Sequence, residues 1–335
     1  DHIALSRWAD AILVLPSTAN FMSKLSRGSA DDLATTVILA SDKETFLVPA
    51  MNVRMWEHKA TQKNLNTLFN YGYKFIGPQD GEMACGEYGK GKMSSPRQII
   101  SYLENFFKQK DYFKKKNIRA TVTTGPTREY IDPVRYISNE SSGKQGYEIA
   151  LELSRLGVKT TLISGPTNIN YSNEIKVKKI VSGKQMFNEI KKTLPTDIAV
   201  CTAAVSDFKP VLKNKQKLKK KINLDKIHLE QNPDILEFLG KNNRHKPKLL
   251  VGFSAETENI IKNSIEKMHE KHCDIIVAND VSNKETGFNV DFNEVMIIEN
   301  NGEIQKIKKS SKKFIASIIA KKIINSFLDI KKRLN

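Results

Sequence analysis

The most chemically loaded stretch of this 335-residue sequence lies at 121–146, TVTTGPTREYIDPVRYISNESSGKQG. Arg128, Arg135, Asn139 and Lys144 fall in one loop bracketed by Gly125, Gly143 and Gly146. Ser141, Ser142, Gly143 and Lys144 stand where a helix would begin, with backbone amides not yet used inside it. Amides, hydroxyls and cations in one place suit a phosphate. The pattern is neither a P-loop nor GxGxxG. The plain alternative is an elaborate capped loop, and the density of cations and amide groups favours binding. Three more polar clusters each follow a short apolar run: CTAAVSDFKP (201–210), GFSAET (252–257) and ANDVS (278–282). A fourth, NPDIL (232–236), opens a helix, and GFN follows at 287–289. Polar loops at the carboxyl ends of parallel strands are what a nucleotide site needs.

The first 107 residues hold a second set. AILVL (11–15) runs into PSTAN (16–20), where the Ser17 and Thr18 hydroxyls with helix-start amides suit a phosphate or a flavin edge. Local grounds favour simple N-capping there. TFLVP (45–49) runs into Asn52, whose amide can clamp a carboxylate. Cys85 lies in GPQDGEMACGEYGKG (77–91), a glycine-rich flap by composition. It is either a reactive thiol or an adventitious surface one.

The elements that must hold these groups alternate. Strands are expected at 11–15, 45–49, 118–124, 159–164, 197–201, 248–253 and 274–278. Helices are expected near 22–27, 31–40, 56–71, 96–107, 144–156, 183–193, 257–271 and 310–328. Short apolar runs between helices read as α/β with doubly wound parallel sheets. The lysine-rich 108–117 reads as a linker between a domain at 1–107 and one at 118–335. Lys213–Lys221 reads as a mobile loop or an exposed ribbon.

Hydrophobic residues at 39% and charged residues at 27% exclude disordered, collagen-like and disulfide-scaffold classes. No apolar run reaches the roughly 20 residues of a membrane span. Three cysteines point to a reducing, cytoplasmic setting. Cys201 and Cys273 read as small core residues, although Cys201 ends a strand beside the expected nucleotide loop. His58, His228, His245, His269 and His272 show no metal-ligand spacing, so no zinc is expected. The net charge of +17 raises nucleic acid as a partner. Residues 1–107 carry 11 basic and 11 acidic residues, so the whole excess lies beyond them.

LSRWAD (5–10), PSTANF, GSADDLATT (28–36), PAMNVRMW (49–56), ATQKNL (60–65) and ACGEYGKGKM (84–93) together resemble the flavin-dependent cysteine decarboxylases, and within them the phosphopantothenoylcysteine decarboxylases. The resemblance implies a flavodoxin-like domain with FMN, which oxidises a cysteinyl thiol so that CO₂ leaves easily and then reduces the enethiol formed. It implies His2 for proton handling, Asn52 for the substrate carboxylate, Cys85 as the acid of the reductive half and Ser17 and Thr18 at FMN. About 70 residues of the family pattern precede the matched part, so an incomplete, N-terminally truncated domain is expected.

From Gly125 to Asn289 the chain resembles the phosphopantothenate–cysteine ligases through the loops quoted above together with KLKKK (217–221), VGFSAET and ANDVSNKETGFN. The two resemblances occur in the order found in bifunctional coenzyme A biosynthesis proteins. They imply that 4′-phosphopantothenate attacks CTP to give an acyl-cytidylate, which the amine of cysteine then opens. Asn139 is implied at the intermediate and Lys217 in its formation. Cys201, Thr202, Ala203, Ala204, Asp207 and Phe208 are implied at the cytidine pocket, with Pro233, Asp234, Ile235 and Leu236 as a second wall and Phe253 nearby. Lys267 and Lys271 are implied at the triphosphate. Mg²⁺ is implied through the CTP phosphates, with Asp280 as a possible ligand. A homo-oligomer with paired ligase domains is implied, and neither nucleic acid nor membrane. The alternatives are a ligase whose first domain serves only assembly, and a non-enzymatic flavoprotein-like subunit that binds nucleic acid.

Overall fold

A computed structural model describes residues 1–335 apart from 84–85, 219–225, 243, 281–291 and 335. It divides into two compact units, Asp1–Lys108 and Gln109–Asn335.

The first unit runs α1 (His2–Trp8), β1 (Ala11–Ser17), α2 (Ala19–Ser26), α3 (Leu33–Leu39), β2 (Glu44–Pro49), α4 (Val53–Glu57), α5 (Lys59–Tyr71), β3 (Lys74–Phe75), β4 (Gln79–Glu82), β5 (Tyr88–Lys92) and α6 (Pro96–Lys115), the last crossing the division. β1, β2 and β3 form a three-stranded parallel sheet in that order. The central strand β2 is buried along Thr45–Pro49, as an apolar run between two neighbours must be. Phe46 is fully buried against the rings of Phe106 and Tyr102. The expected helix over 56–71 is two helices, because His58 ends α4 and caps α5 through Nδ1. β4 and β5 make an antiparallel ribbon.

The second unit continues with β6 (Arg119–Thr124), β7 (Glu129–Tyr130), β8 (Tyr136–Ile137), α7 (Lys144–Arg155), β9 (Lys159–Ser164), β10 (Lys176–Lys179), α8 (Gly183–Thr193), β11 (Ile198–Cys201), β12 (Phe208–Pro210), β13 (Leu229–Gln231), α9 (Ile235–Gly240), β14 (Leu249–Glu256), α10 (Ile260–Glu270), β15 (Ile275–Asp280), β16 (Phe292–Glu299), β17 (Ile304–Ser311) and α11 (Lys312–Leu334). Its main sheet has the order β10-β9-β6-β11-β14-β15-β16-β17. The first six are parallel and the last two antiparallel. From β6 the chain winds outward to β10, then returns to β11 and winds the other way. The order therefore reverses between β6 and β11, and a doubly wound sheet opens a crevice there. Val122, Val200, Val251 and Val277 lie under this point in a core shared with Ile149, Leu153 and the buried face of α11.

The stretch 108–117 is not a linker of irregular chain: α6 continues to Lys115, because Phe113 gives the lysine-rich turns a buried face against Phe327. Of the expected loop or ribbon at 213–221, residues 219–221 lie outside the described residues; before and after it, β12 and β13 pair antiparallel, and Lys209 meets Glu230 at 3.2 Å.

Candidate functional site

A cleft of about 1040 Å³ opens over the carboxyl ends of the second unit's strands. Two loops meet at its floor, one after β6 and one after β11. The Thr202 Oγ1 and backbone N both donate to the Thr123 carbonyl, at 2.6 and 3.2 Å. The Ala204 N–H donates to the Gly125 carbonyl at 3.0 Å. Thr124 Oγ1 donates to the Gly143 carbonyl at 2.6 Å, tying the first turn of α7 to the end of β6. Gly146 makes this approach possible, since a Cβ there would lie 2.1 Å from Thr202 Oγ1 and 2.5 Å from Thr124 Oγ1.

Gly143 starts α7 with φ +72° and no side-chain cap. The first-turn amides of Gln145 and Gly146, which line the cleft, have no carbonyl inside the helix to bond, which suits them to an anion. Ser141 and Ser142 line the cleft beside them. Asn139 crosses it, donating through Nδ2 to the Val205 carbonyl at 3.0 Å. That bond leaves the Oδ1 acceptor available to a ligand.

Asn139, Cys201, Thr202, Ala203, Asp207, Pro233, Asp234, Ile235, Leu236, Phe253, Lys267 and Lys271 all line this one cleft, as do Ala204 and Phe208. The two lysines are engaged. Lys267 donates to the Phe253 carbonyl at 3.1 Å. Lys271 pairs with Asp234 and Glu237, both at 3.0 Å. Burial opposes its charge, but the Glu237 and Asp234 carboxylates outweigh burial and hold its pKa above the ordinary lysine value. Hydrogen bonds from Lys241 and then Lys271 hold Glu237 down at about 2. Asp234 also caps α9, accepting from Glu237 N at 2.8 Å. Burial pushes the Cys201 thiol far up and the Cys273 thiol to about 12, so neither is a thiolate.

Two expected residues are not brought into the cleft. Lys217 is exposed and outside its lining. The physical reason is a clamp on the next residue: Asp132 Oδ2 accepts from Leu218 N at 3.2 Å, and Arg135 Nη2 donates to Leu218 O at 3.0 Å. Asp132 is fully buried, and its hydrogen bonds from Arg135 hold its carboxyl well below the usual range. Asp280, at the end of β15, also lies outside the lining. Among the described residues no cluster of three or more His, Cys, Asp or Glu could hold a metal ion.

Sequence reasoning passed over Gln145, Asn232, Asn279, Asn293 and Lys312, all of which line the cleft. Asn232 and Asn279 sit inside quoted loops, so their position at strand ends was a usable signal. Asn293 is the second residue of β16, whose start carries no sequence mark, and Lys312 opens α11, a helix expected near 310–328 whose first residue was not singled out.

In the first unit, Ser17 ends β1 beside Pro49 of β2, so the PSTAN and PAMN loops meet at neighbouring strand ends. Ser17 is fully buried, and its Oγ has no hydrogen-bond partner among the described residues. An orphaned hydroxyl at a strand end beside a helix start fits the polar groups of FMN. Thr18 instead caps α2, accepting from Phe21 N at 3.2 Å. Asn52 caps α4 through Oδ1, 2.8 Å from Met55 N, which leaves its Nδ2 donors outside the cap. Gly91 lets β5 touch this loop: Met51 N donates to its carbonyl at 3.1 Å, and a Cβ would lie 2.4 Å from the Met51 carbonyl. His2 opens α1, with Nδ1 3.9 Å from the Asp1 carboxylate. Cys85 lies outside the described residues, as do 219–225 of the lysine run and its flank, and 281–291.

The family model described as Flavoprotein matches residues 1–108, and that described as DNA/pantothenate metabolism flavoprotein C-terminal domain matches 115–327. The Coenzyme A biosynthesis bifunctional protein CoaBC of Haemophilus influenzae is 40% identical over 97% of this chain and 80% of its own length. The protein of the same name from Bacillus subtilis is 38% identical over 93% of this chain and 77% of its own. The solved C-terminal domain of a protein with that name superposes with a TM-score of 0.54 at 35% identity, covering 63% of this chain and 96% of the other. A flavodoxin-like flavoprotein unit and a doubly wound ligase unit, each with its polar residues gathered at strand ends, thus follow one another as in those relatives, and the chain belongs to the bifunctional coenzyme A biosynthesis family, with ligase and decarboxylase activities.

Proposed function

We propose that the second unit joins 4′-phosphopantothenate to cysteine with CTP, and that the first unit decarboxylates the product with FMN. The observation that carries the ligase half is Asn139 bridging to Val205 in the same cleft as the start of α7, which has no side-chain cap, and as Lys267 and Lys271.

The phosphopantothenate carboxylate attacks the α-phosphorus of CTP, and pyrophosphate leaves with the P–O electron pair. Two anions must meet, so the α7 amides, Lys267 and Lys271 screen their charge. Mg²⁺ held by the nucleotide phosphates would add to this charge screening. Lys271 exchanges its Asp234 and Glu237 partners for phosphate oxygens. Asn139 holds the acyl-cytidylate through its Oδ1 side. The amine of cysteine then adds to the acyl carbon and CMP leaves. Lys217 reaches the reacting phosphate when the β12–β13 ribbon swings over the cleft, which requires release of Leu218.

FMN supplies two-electron redox chemistry when bound in the first unit. Ser17 would hold a polar group of it through the unpaired Oγ, and the α2 amides that Thr18 leaves open would hold another. Asn52 binds the substrate carboxylate through Nδ2; a neutral amide orients the group without a cation that would retain CO₂. His2 handles the proton and Cys85 donates one in the reductive half.

Unit 2 pairs with a second copy. β7 and β12 pack together, and Val134, Tyr136, Leu212 and Leu229, in or beside the β7–β8 and β12–β13 ribbons, are exposed. Such an apolar surface fits a subunit contact. Free thiols at Cys201 and Cys273 suit a reducing cytoplasm. Among the described residues no helix is long and apolar enough to cross a membrane.

The experiment incubates the full chain with 4′-phosphopantothenate, cysteine and CTP, with and without FMN. CMP release without FMN and CO₂ release only with it are expected. Tight, salt-sensitive DNA binding with no CTP turnover would favour the non-enzymatic reading.

A further inference from the structure

Three carboxamide oxygens in the cleft are buried and have no hydrogen-bond partner among the described residues: Gln145 Oε1, Asn232 Oδ1 and Asn279 Oδ1. Buried acceptors of this kind are rare unless a ligand, an ion or an ordered water completes them. They fall at two ends. Asn232 donates to the Ser206 carbonyl at 2.8 Å and precedes Pro233, so its oxygen belongs to the nucleoside wall. Asn279 stands at the end of β15, two places beyond β11 in the sheet order, or about 10 Å away at ordinary strand spacing. Gln145 Nε2 donates to the Lys312 carbonyl at 3.2 Å, which fixes its Oε1 as the outward atom. Lys312, 7% exposed, and Asn293, 4% exposed, line the cleft too, and the register sets them near Asn279: Asn279 pairs with Val295, Asn293 with Ser310, and Phe292 with Ser311, next to Lys312.

The chemistry of this end selects its occupant. A phosphate offers only acceptor oxygens, which two carbonyl oxygens repel. The occupant must bring N–H donors, and the cation at Lys312 favours an anion attached to them. An α-amino acid carries both, as an ammonium beside a carboxylate. We propose that Gln145 Oε1 and Asn279 Oδ1 form the amino-acid subsite, accepting two N–H bonds of the incoming ammonium with its carboxylate beside Lys312. The inference rests on the ligase reading above and names where its amine substrate sits. The third ammonium proton passes to solvent. The freed lone pair then forms the C–N bond, a second N–H proton passes to solvent from the adduct, and CMP leaves with the electron pair of the acyl C–O bond, which gives the amide with its one remaining N–H. The two acceptors hold the remaining N–H bonds so that the lone pair is not spent on the protein.

The test uses the full chain with saturating 4′-phosphopantothenate, measuring CMP release against cysteine and against CTP in turn. Asn279→Leu and Gln145→Met should each raise the KM for cysteine roughly tenfold or more, while the KM for CTP moves less than about twofold. Asn279→Asp keeps an acceptor and adds a charge attractive to the ammonium, so its cysteine KM should stay at or below that of the parent. Should Asn279→Leu fail to fold by circular dichroism, Gln145→Met and Asn279→Asp still decide. The proposal is overturned if the KM for CTP rises in step with that for cysteine, or if cysteine KM is unmoved in the apolar variants. A parent chain that releases no pyrophosphate from CTP and 4′-phosphopantothenate overturns the ligase reading itself, a result separate from both arms.

Discussion

Of the two glycines lining the ligase cleft, Gly146 leaves less room for a side chain than Gly143. Its Cβ position is occupied by the hydroxyls of Thr202 and Thr124, which themselves join the loops of β11 and β6. Gly146→Ala must push these apart, and overpacking of this kind costs about 1–3 kcal/mol. A fall of about 2–9 °C in melting temperature is expected by scanning calorimetry, with weakened CTP binding. An unchanged melting temperature would contradict the packing described. Glu237 gives a pH signature. Its carboxyl is held at about 2 against an ordinary 4.5, so its contribution is fully present above about pH 4.5 and is lost as pH falls towards 2. The urea midpoints of the parent and Glu237→Gln should differ near pH 6 and converge on acidification. Divergence on acidification would show the pairing with Lys241 and Lys271 to be wrong.

At the scale of elements, five central strands and α8 were legible because each is an uninterrupted apolar or β-branched run, or an amphipathic stretch with a Ser182 cap. β16 and β17 were not. β17 reads IQKIKKSS, and on an edge strand only Ile307 is buried, so no apolar run marks it. The gathering of Asn139, Asp207, Pro233 and Lys267 in one cleft was legible by resemblance to a known family. Lys217 was placed by the same route but stands in solvent, because the Asp132–Arg135 clamp on Leu218 is a tertiary contact across more than 80 residues, as the 83- and 86-residue separations show. Its mechanical role belongs to this scale. Asp132→Asn should loosen the ribbon, raising amide exchange at 211–218 while the amides of β6 and β11 stay protected. Lys217→Ala should cut pyrophosphate release about a hundredfold with little change in CTP affinity. Normal acyl-cytidylate formation in that variant would remove Lys217 from the reaction.

For the whole molecule, the +17 charge lies entirely beyond residue 107, and Lys209–Lys221 alone carries seven lysines and no acid. The stretch begins next to the cleft, since Asp207 and Phe208, just before Lys209, line it. Two of the three substrates proposed for the ligase, CTP and 4′-phosphopantothenate, are anions, and on that reading this field would steer one nucleotide and one phosphorylated acid. The kcat/KM for CTP should fall as salt is raised past about 0.15 M, where the Debye length is about 8 Å. Light scattering of the parent and of Leu212→Glu should show a dimer and its loss. The most direct measurement of the central claim is product accounting with the full chain, 4′-phosphopantothenate, cysteine and each nucleoside triphosphate in turn. The predicted result is CMP and pyrophosphate in equal amounts, formed with CTP and dependent on the acid. Cysteine ligated with no CTP consumed, or CTP consumed with no acid present, would contradict it.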